Sequence, residues 1–176
     1  MSSWGPSTYG DPCRECGFDW SMPEAAARKL VAEGNMRYRL TLRKAHGSER
    51  HPDLGWTIAG YVAHVADNLA IWAERMAGVA RGTPTQLAGY DENELAAARR
   101  YNELTLPGTL WSMEHAARNW LSVIDAVPDE MVMTHPERGE IRRVDVKRAN
   151  AHDLHHHLWD IIRILEVQAD RAGDAG

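Results

Sequence analysis

The chain has 176 residues, 44% of them hydrophobic, and a formal net charge of −5. This length fits one domain with a single core, and the acidic balance excludes a nucleic-acid footprint or an affinity for anionic membrane surfaces. No run of about 18 apolar residues occurs, so no transmembrane helix is expected. The first residues lack the basic and apolar regions of a signal peptide, which predicts a cytoplasmic location.

Residues 1–20 are rich in Gly, Pro and Ser and are predicted to form an irregular N-terminal arm. The arm contains Cys13 and Cys16 in a CxxC motif followed by glycine, which is half of a zinc knuckle. The sequence has no second CxxC, so a metal here would need His or carboxylate ligands from elsewhere. A structural metal staple, a redox dithiol and a pair of ordinary thiols all remain open.

Apolar residues recur at helical spacing in four long segments, which predict an all-α four-helix bundle over residues 21–170. Helix one is predicted to begin at the capping box of Ser21 to Glu24 and to end near residue 45. Helix two is predicted to begin after an N-cap at Thr57 and to end near Gly82.

Helix three is predicted over residues 109–127. A helix capped by Asp145 is predicted to follow and to end near residue 170, before a frayed tail of residues 171–176. The long connection of residues 83–107 is expected to cross the bundle, with a capping-type start at Asp91 for a short helix.

Two smaller features lie between these helices. Pro136 and Gly139 mark a turn within an extended stretch, which predicts a short hairpin or an irregular excursion. In the long connection, Tyr90 and Tyr101 are candidates for contact with a substrate, although packing at the surface is the simpler explanation.

The last helix carries an unusual density of imidazole and carboxylate groups, the side chains that bind divalent transition metals. Two pairs are spaced four residues apart and therefore share a helix face: His152 with His156, and Asp153 with His157. Helical phase places the second pair beside the apolar arc and the first pair nearly opposite, toward solvent. Phase thus favours Asp153 and His157 as inward-facing ligands, while a polar surface face remains the alternative.

A catalytic metal needs about three protein ligands, so a third must come from another helix. His64 lies on the flank of the apolar stripe of helix two and is the candidate. Asp67 lies three residues further on and is a candidate for orienting the His64 ring. The alternative is a half-buried histidine that is hydrogen-bonded to Asp67 or to a backbone carbonyl.

The segment Gly55-Trp-Thr-Ile-Ala-Gly-Tyr-Val-Ala-His64-Val-Ala-Asp67, combined with the His-rich last helix, resembles the DinB-like superfamily. The likeness covers residues 21–168, and the family includes mycothiol-dependent and bacillithiol-dependent enzymes. In this family a Trp-x(7)-His segment supplies one metal ligand, which corresponds to His64. The last helix supplies two more, the second of them followed three residues later by Asp or Gln. His157 fits that pattern, since Asp160 follows it three residues later and is a candidate for orienting its ring. The earlier ligand therefore falls on Asp153, where other members carry His or Glu.

The resemblance implies a DinB-type bundle that holds a divalent metal with His64, Asp153 and His157. Zinc is the default, and nickel or iron would suit the same ligands. It further implies a low-molecular-weight thiol of the mycothiol type as cosubstrate and a small-molecule electrophile as partner, in S-transfer or isomerisation. A non-catalytic metal-binding or ligand-binding bundle and a metal-dependent hydrolase are the alternatives. A monomer and a homodimer are both compatible with the sequence.

Overall fold

The computed structural model describes residues 5–173, and the predictions for residues 1–4 and 174–176 lie outside this range. Four long helices form the body of the molecule, which confirms the predicted all-α four-helix bundle. The elements in chain order are α1 (Pro6–Tyr9), α2 (Glu24–Thr41), α3 (Ile58–Ala80), α4 (Glu92–Ala98), α5 (Leu106–Val123), β1 (Met133–His135), β2 (Gly139–Ile141) and α6 (Arg143–Gly173).

Helix α3 is more deeply buried than the other long helices of the bundle. Helix α3 packs against α5 and α6, and α2 packs against the same two helices, so that α2 and α3 occupy opposite corners. Every residue from Ile58 to Leu69 is buried, including the polar side chains of this stretch. A histidine in this part of α3 therefore lies inside the protein, although its helical phase places it only on the flank of the apolar stripe.

Two of the predicted helix starts are confirmed. The side chain of Thr57 accepts a hydrogen bond of 3.0 Å from the backbone N–H of Gly60, and thereby caps α3. The carboxylate of Asp91 accepts hydrogen bonds from the backbone N–H groups of Asn93 and Glu94, and thereby caps α4. Each side chain satisfies backbone donors that have no partner within the helix.

The predicted capping box of helix one is wrong. Helix α2 begins at Glu24, directly after Pro23, and has no side-chain cap. The hydroxyl of Ser21 instead donates a hydrogen bond of 2.6 Å to Asp19, because the chain before the helix makes a tight local turn. The helix also ends at Thr41, before the predicted end near residue 45.

The last helix is longer than predicted at both ends. It begins at Arg143, so Asp145 lies in its first turn, where the carboxylate accepts a hydrogen bond of 2.8 Å from the backbone N–H of Arg142. This bond is the second half of a capping box, in which a side chain three residues inside the helix reaches back to its start. At the other end, the helix continues to Gly173.

The connection between α3 and α5 crosses the bundle as predicted and is tied to the hairpin. Strands β1 and β2 pair in an antiparallel register, with Met133 opposite Ile141. Gln86, from the connection, pairs with Thr134 of β1 in an isolated bridge. The crossover therefore lies beside the hairpin, at the same side of the molecule.

The N-terminal arm is more ordered than an irregular arm would be. Residues 5–20 contain helix α1 and a series of turns, with Cys13, Phe18 and Trp20 buried. The rings of Phe18 and Trp20 lie 5.3 and 4.4 Å from that of His152. The arm thus covers a face of α6 that was predicted to face solvent. Within residues 5–173, none of the helices combines the length and the apolar character needed to span a bilayer.

Candidate metal centre

The structure brings the three side chains predicted as ligands together between α3 and α6. The Nε2 atom of His64 lies 3.3 Å from Oδ1 of Asp153, and Nε2 of His157 lies 3.4 Å from the same oxygen. One potential ligand atom from each residue lies within 4.8 Å of the other two. Donor atoms that share one cation at about 2.0–2.2 Å lie about 3.0–3.5 Å apart, so the two measured separations suit a common ion.

The charges around Asp153 favour its ionised form. Burial by itself would raise the pKa of Asp153, but the neighbouring rings of His64 and His157 hold this pKa well below its ordinary value. Burial would likewise lower the pKa of His157, and the charge and hydrogen bond of Asp153 outweigh it and raise this pKa to about 9. Without a metal, His157 is therefore protonated at neutral pH and forms an ion pair with Asp153.

One observation favours a metal site over a group of side chains that merely form ion pairs with one another. The second carboxylate oxygen of Asp153, Oδ2, is buried and has no hydrogen-bond partner. A buried oxygen without a partner costs about 1–3 kcal/mol, and more when it is charged. A cation beside Asp153 would relieve this cost, so the donor set, its spacing and this oxygen all fit a divalent metal.

Asp160 contacts a predicted ligand, as expected from its spacing. Its Oδ2 accepts a hydrogen bond of 2.9 Å from Nδ1 of His157. This bond leaves Nε2 of His157 directed toward Asp153, and carboxylates commonly orient metal-binding histidines in this way. Asp160 is 5% exposed, so its position is well constrained by packing.

Asp67 does not orient His64, and that prediction is wrong. The carboxylate of Asp67 accepts a hydrogen bond of 2.5 Å from the hydroxyl of Tyr101 and pairs with Arg99. Both partners come from the crossover connection, whose position in space the sequence did not reveal. Asp67 therefore anchors the crossover onto α3.

Aromatic rings surround the three candidate ligands. The ring of Trp56 stacks on His64 at a centroid distance of 5.0 Å, and the ring of Tyr61 lies 5.3 Å from that of His157. The side chain of His64 is only 5% exposed, whereas those of Asp153 and His157 are 20% and 16% exposed. The site is therefore closed on the side of α3 and reaches solvent on the side of α6.

A polar cavity of about 290 Å³ lies between the arm, the crossover and the hairpin, lined in part by Tyr9, Tyr90 and Arg138. Burial, and next the charge of Asp153, raise the pKa values of Tyr9 and Tyr90. Burial lowers the pKa of Arg138, and the charge of Asp153 opposes this shift. Sequence reasoning identified Tyr90 here but missed Tyr9 and Arg138, because only the fold brings the arm and the hairpin together.

The alternative ligand pair, His152 and His156, belongs to a separate cluster. Their ring nitrogens lie with the sulfur atoms of Cys13 and Cys16, all within 4.8 Å of one another. The prediction that these two rings face solvent is wrong. His152 is 5% exposed, and the side chain of His156 is 13% exposed. The arm covers this face of α6.

Burial and charge set the protonation states in this second cluster. Burial, and then the neighbouring His156, lower the pKa of His152 to about 3, so this ring is neutral at physiological pH. Burial raises the pKa of the Cys16 thiol to about 12. This thiol is therefore protonated at neutral pH unless a bound cation displaces its proton.

Two histidines and an aspartate that converge inside a helical bundle are typical of a metal-binding protein. Comparison of the sequence with known protein families identifies the family. A sequence model of the DinB superfamily matches residues 9–161. The chain therefore belongs to the DinB superfamily, as its motifs predicted.

The solved structures that resemble this fold include that of YfiT from Bacillus subtilis, which is described as "a probable metal-dependent hydrolase with an unusual four-helix bundle topology". The two share 16% sequence identity and superpose with a TM-score of 0.72, over 83% of this chain and 87% of that chain. At this identity, the likeness shows the fold alone. No curated protein matches the chain by sequence.

Substituting Asp160 by asparagine is expected to weaken metal binding at the His64 cluster by about 10–100-fold, because such orienting partners contribute about that much. The affinity would be measured by competition with a coloured chelator. Asp170→Asn is the matched control, since Asp170 is exposed on the same helix. Equal affinities for the two variants would show that the bond to His157 is unimportant.

Metal affinity is also expected to rise with pH. A proton must leave His157 before its Nε2 can bind a cation, and the pKa of His157 is raised to about 9. Below that pH the proton competes with the metal, so the affinity should increase about tenfold per pH unit between pH 7 and 9 and level off above it. Chelator competition across this range would measure the slope. A flat profile would contradict the assignment of His157 as a ligand.

Proposed function

We propose that this DinB superfamily protein is a divalent-metal-dependent enzyme whose ion is held by His64, Asp153 and His157. The single observation that carries the proposal is the convergence of these three donors, with Oδ1 of Asp153 facing both histidines and its Oδ2 buried without a hydrogen-bond partner. Zinc is the default ion, and nickel or iron(II) would suit the same side chains.

The geometry supports a catalytic rather than a closed structural site. A structural zinc usually has four protein ligands, whereas a catalytic one keeps a position open. Among the residues that the structure describes, three donors converge here, and the partial exposure of Asp153 and His157 gives a small molecule access. A non-catalytic binding bundle would instead need a site that is sealed from solvent.

The proposed reaction is the transfer of a low-molecular-weight thiol of the mycothiol type to an electrophilic small molecule, or the isomerisation of that molecule. When bound, a divalent cation lowers the pKa of a coordinated thiol or water and so supplies a nucleophile at neutral pH. A free thiol has a pKa of about 8.5 and is mostly protonated there. The choice of a thiol rests on the family resemblance.

The side chains of this protein would divide the remaining tasks. Asp160 holds the ring of His157 in position through its hydrogen bond of 2.9 Å. Trp56 and Tyr61 pack against the histidine rings and limit the access of water from that side. Tyr90 and Arg138 offer hydrogen-bond donors in the polar cavity, where they would bind the polar part of the cosubstrate.

A hydrolase is the second candidate, favoured by the description of YfiT and by the same open position. The two functions differ in their need for a thiol. Zinc-loaded protein would be incubated with mycothiol and monobromobimane, and separately with activated esters and amides without thiol. Conjugate formation above a His64→Ala control supports the thiol reaction. Hydrolysis without thiol, lost in the same control, supports the hydrolase and overturns the first proposal, as does the absence of any turnover.

A further inference from the structure

A second group of potential metal ligands joins the N-terminal arm to the last helix. Cys13 and Cys16 come from the arm, and His152 and His156 come from successive turns of α6. One ligand atom from each of the four lies within 4.8 Å of the other three. Sulfur and nitrogen atoms around one tetrahedral zinc lie about 3.4–3.8 Å apart, and Sγ of Cys13 lies 3.8 Å from Nδ1 of His156.

We infer that Cys13, Cys16, His152 and His156 form a structural zinc site that fastens the arm to α6. Two cysteines and two histidines are a complete donor set for a closed structural zinc. The spacing is also that of zinc-binding motifs, with two residues between the cysteines and three between the histidines. The two halves simply lie at opposite ends of the chain.

The arm has the backbone of a metal knuckle. The N–H of Gly17 donates a hydrogen bond of 2.9 Å to the carbonyl of Cys13, which closes the turn around the CxxC motif. Gly17 has a φ of 71°, a conformation that L side chains rarely adopt. A backbone hydrogen bond from Phe18 also reaches the Cys16 thiol. The turn therefore directs both sulfur atoms toward α6.

The histidines also fit this site. His152 is 5% exposed, and its Nε2 has no hydrogen-bond partner despite being buried. A buried ring nitrogen without a partner is unfavourable, and a cation in the cluster would supply one. His156 directs its Nε2 toward the carboxylate of Glu15, at 3.3 Å, while its Nδ1 faces Cys13. Metal-binding histidines commonly make such a contact to a carboxylate through the other nitrogen.

The sulfur ligands make this site distinguishable from the His64 cluster, which contains none. Full-length protein would be loaded with cobalt(II), whose bonds to thiolate sulfur absorb in the near ultraviolet. We expect this absorption in wild-type protein and in His64→Ala, and its loss in Cys16→Ser. We also expect two zinc ions per wild-type chain by elemental analysis, with one lost in each of these variants.

A further pair of variants distinguishes loss of a zinc ligand from misfolding of the Cys16→Ser variant. His152→Cys keeps a zinc ligand and adds a sulfur, so it should retain two zinc ions and show stronger sulfur-to-cobalt absorption, whereas His152→Ala should retain one. His115→Ala is the control, because His115 lies on α5, where its ring contacts Trp111 and Arg118 and belongs to neither cluster.

Other results would overturn the inference. One such result is the absence of sulfur-to-cobalt absorption from wild-type protein. Another is a Cys16→Ser variant that keeps the full metal content. Formation of a disulfide between Cys13 and Cys16 in metal-replete protein would equally indicate a redox pair. Because His64→Ala affects only the other cluster, failure of this inference and failure of the proposed function are separately visible.

Discussion

The His64→Ala, Asp153→Ala and His157→Ala variants are each expected to lose one metal ion per chain relative to wild type. Removal of an orienting residue already weakens a metal site by about 10–100-fold. Removal of a ligand should therefore weaken binding by more than about 100-fold, because three protein donors within residues 5–173 converge here and two would remain. Elemental analysis after identical loading, and chelator competition, would measure the effect.

The Asp153→Glu variant is the matched control for this series. It keeps the carboxylate, so it should retain the ion, and it separates loss of a ligand from loss of packing. Far-ultraviolet circular dichroism would confirm that each variant keeps its helices. Full metal content in all three alanine variants would contradict the assignment of the centre to this cluster.

Two of the three candidate ligands could be placed on the inner side of a helix from local helix geometry. Asp153 and His157 lie four residues apart, and helical phase places them beside the apolar arc of α6. The phase of His64, on the flank of the apolar stripe, did not single it out, and the family resemblance did; His64 is buried because every residue from Ile58 to Leu69 of α3 is buried. The bundle then brings the two helices into contact.

The surroundings of the centre could not be predicted, because they depend on contacts between distant parts of the chain. Asp67 was expected to support His64, but Arg99 and Tyr101 of the crossover bind it. His152 and His156 were expected to face solvent, but the arm covers them. Helical phase defines the sides of a helix and does not reveal which segment packs there.

A buried lysine links the start of α6 to the rest of the bundle. Lys147 is 3% exposed, and its Nζ lies 2.6 Å from Oε1 of Glu24 and 2.5 Å from Oδ1 of Asp125. Glu24 begins α2 and Asp125 follows α5, so this ion cluster joins three of the four long helices. It lies on the same helix as Asp153 and contributes to the placement of α6.

The double variant Glu24→Gln, Asp125→Asn is expected to lower the free energy of unfolding at pH 7 by about 3–5 kcal/mol, because it leaves a buried ammonium group without an anionic partner. Lys147→Met should cost less, since its side chain is apolar and the two carboxylates can be hydrated. Urea denaturation would measure both. Lys29→Met is the control, because the side chain of Lys29 is 71% exposed.

The pH dependence of these variants follows from the same contacts. The hydrogen bond from Lys147 lowers the pKa of Glu24, and it also lowers that of Asp125 against the opposing effect of burial. Groups with lowered pKa values stabilise the fold above their unfolded pKa, about 4, and this contribution disappears as the pH falls through the folded value. The difference between wild type and the double variant should therefore be constant near neutral pH and shrink below about pH 4. A difference that persists in strong acid would mean that the carboxylates are not the source of the stability.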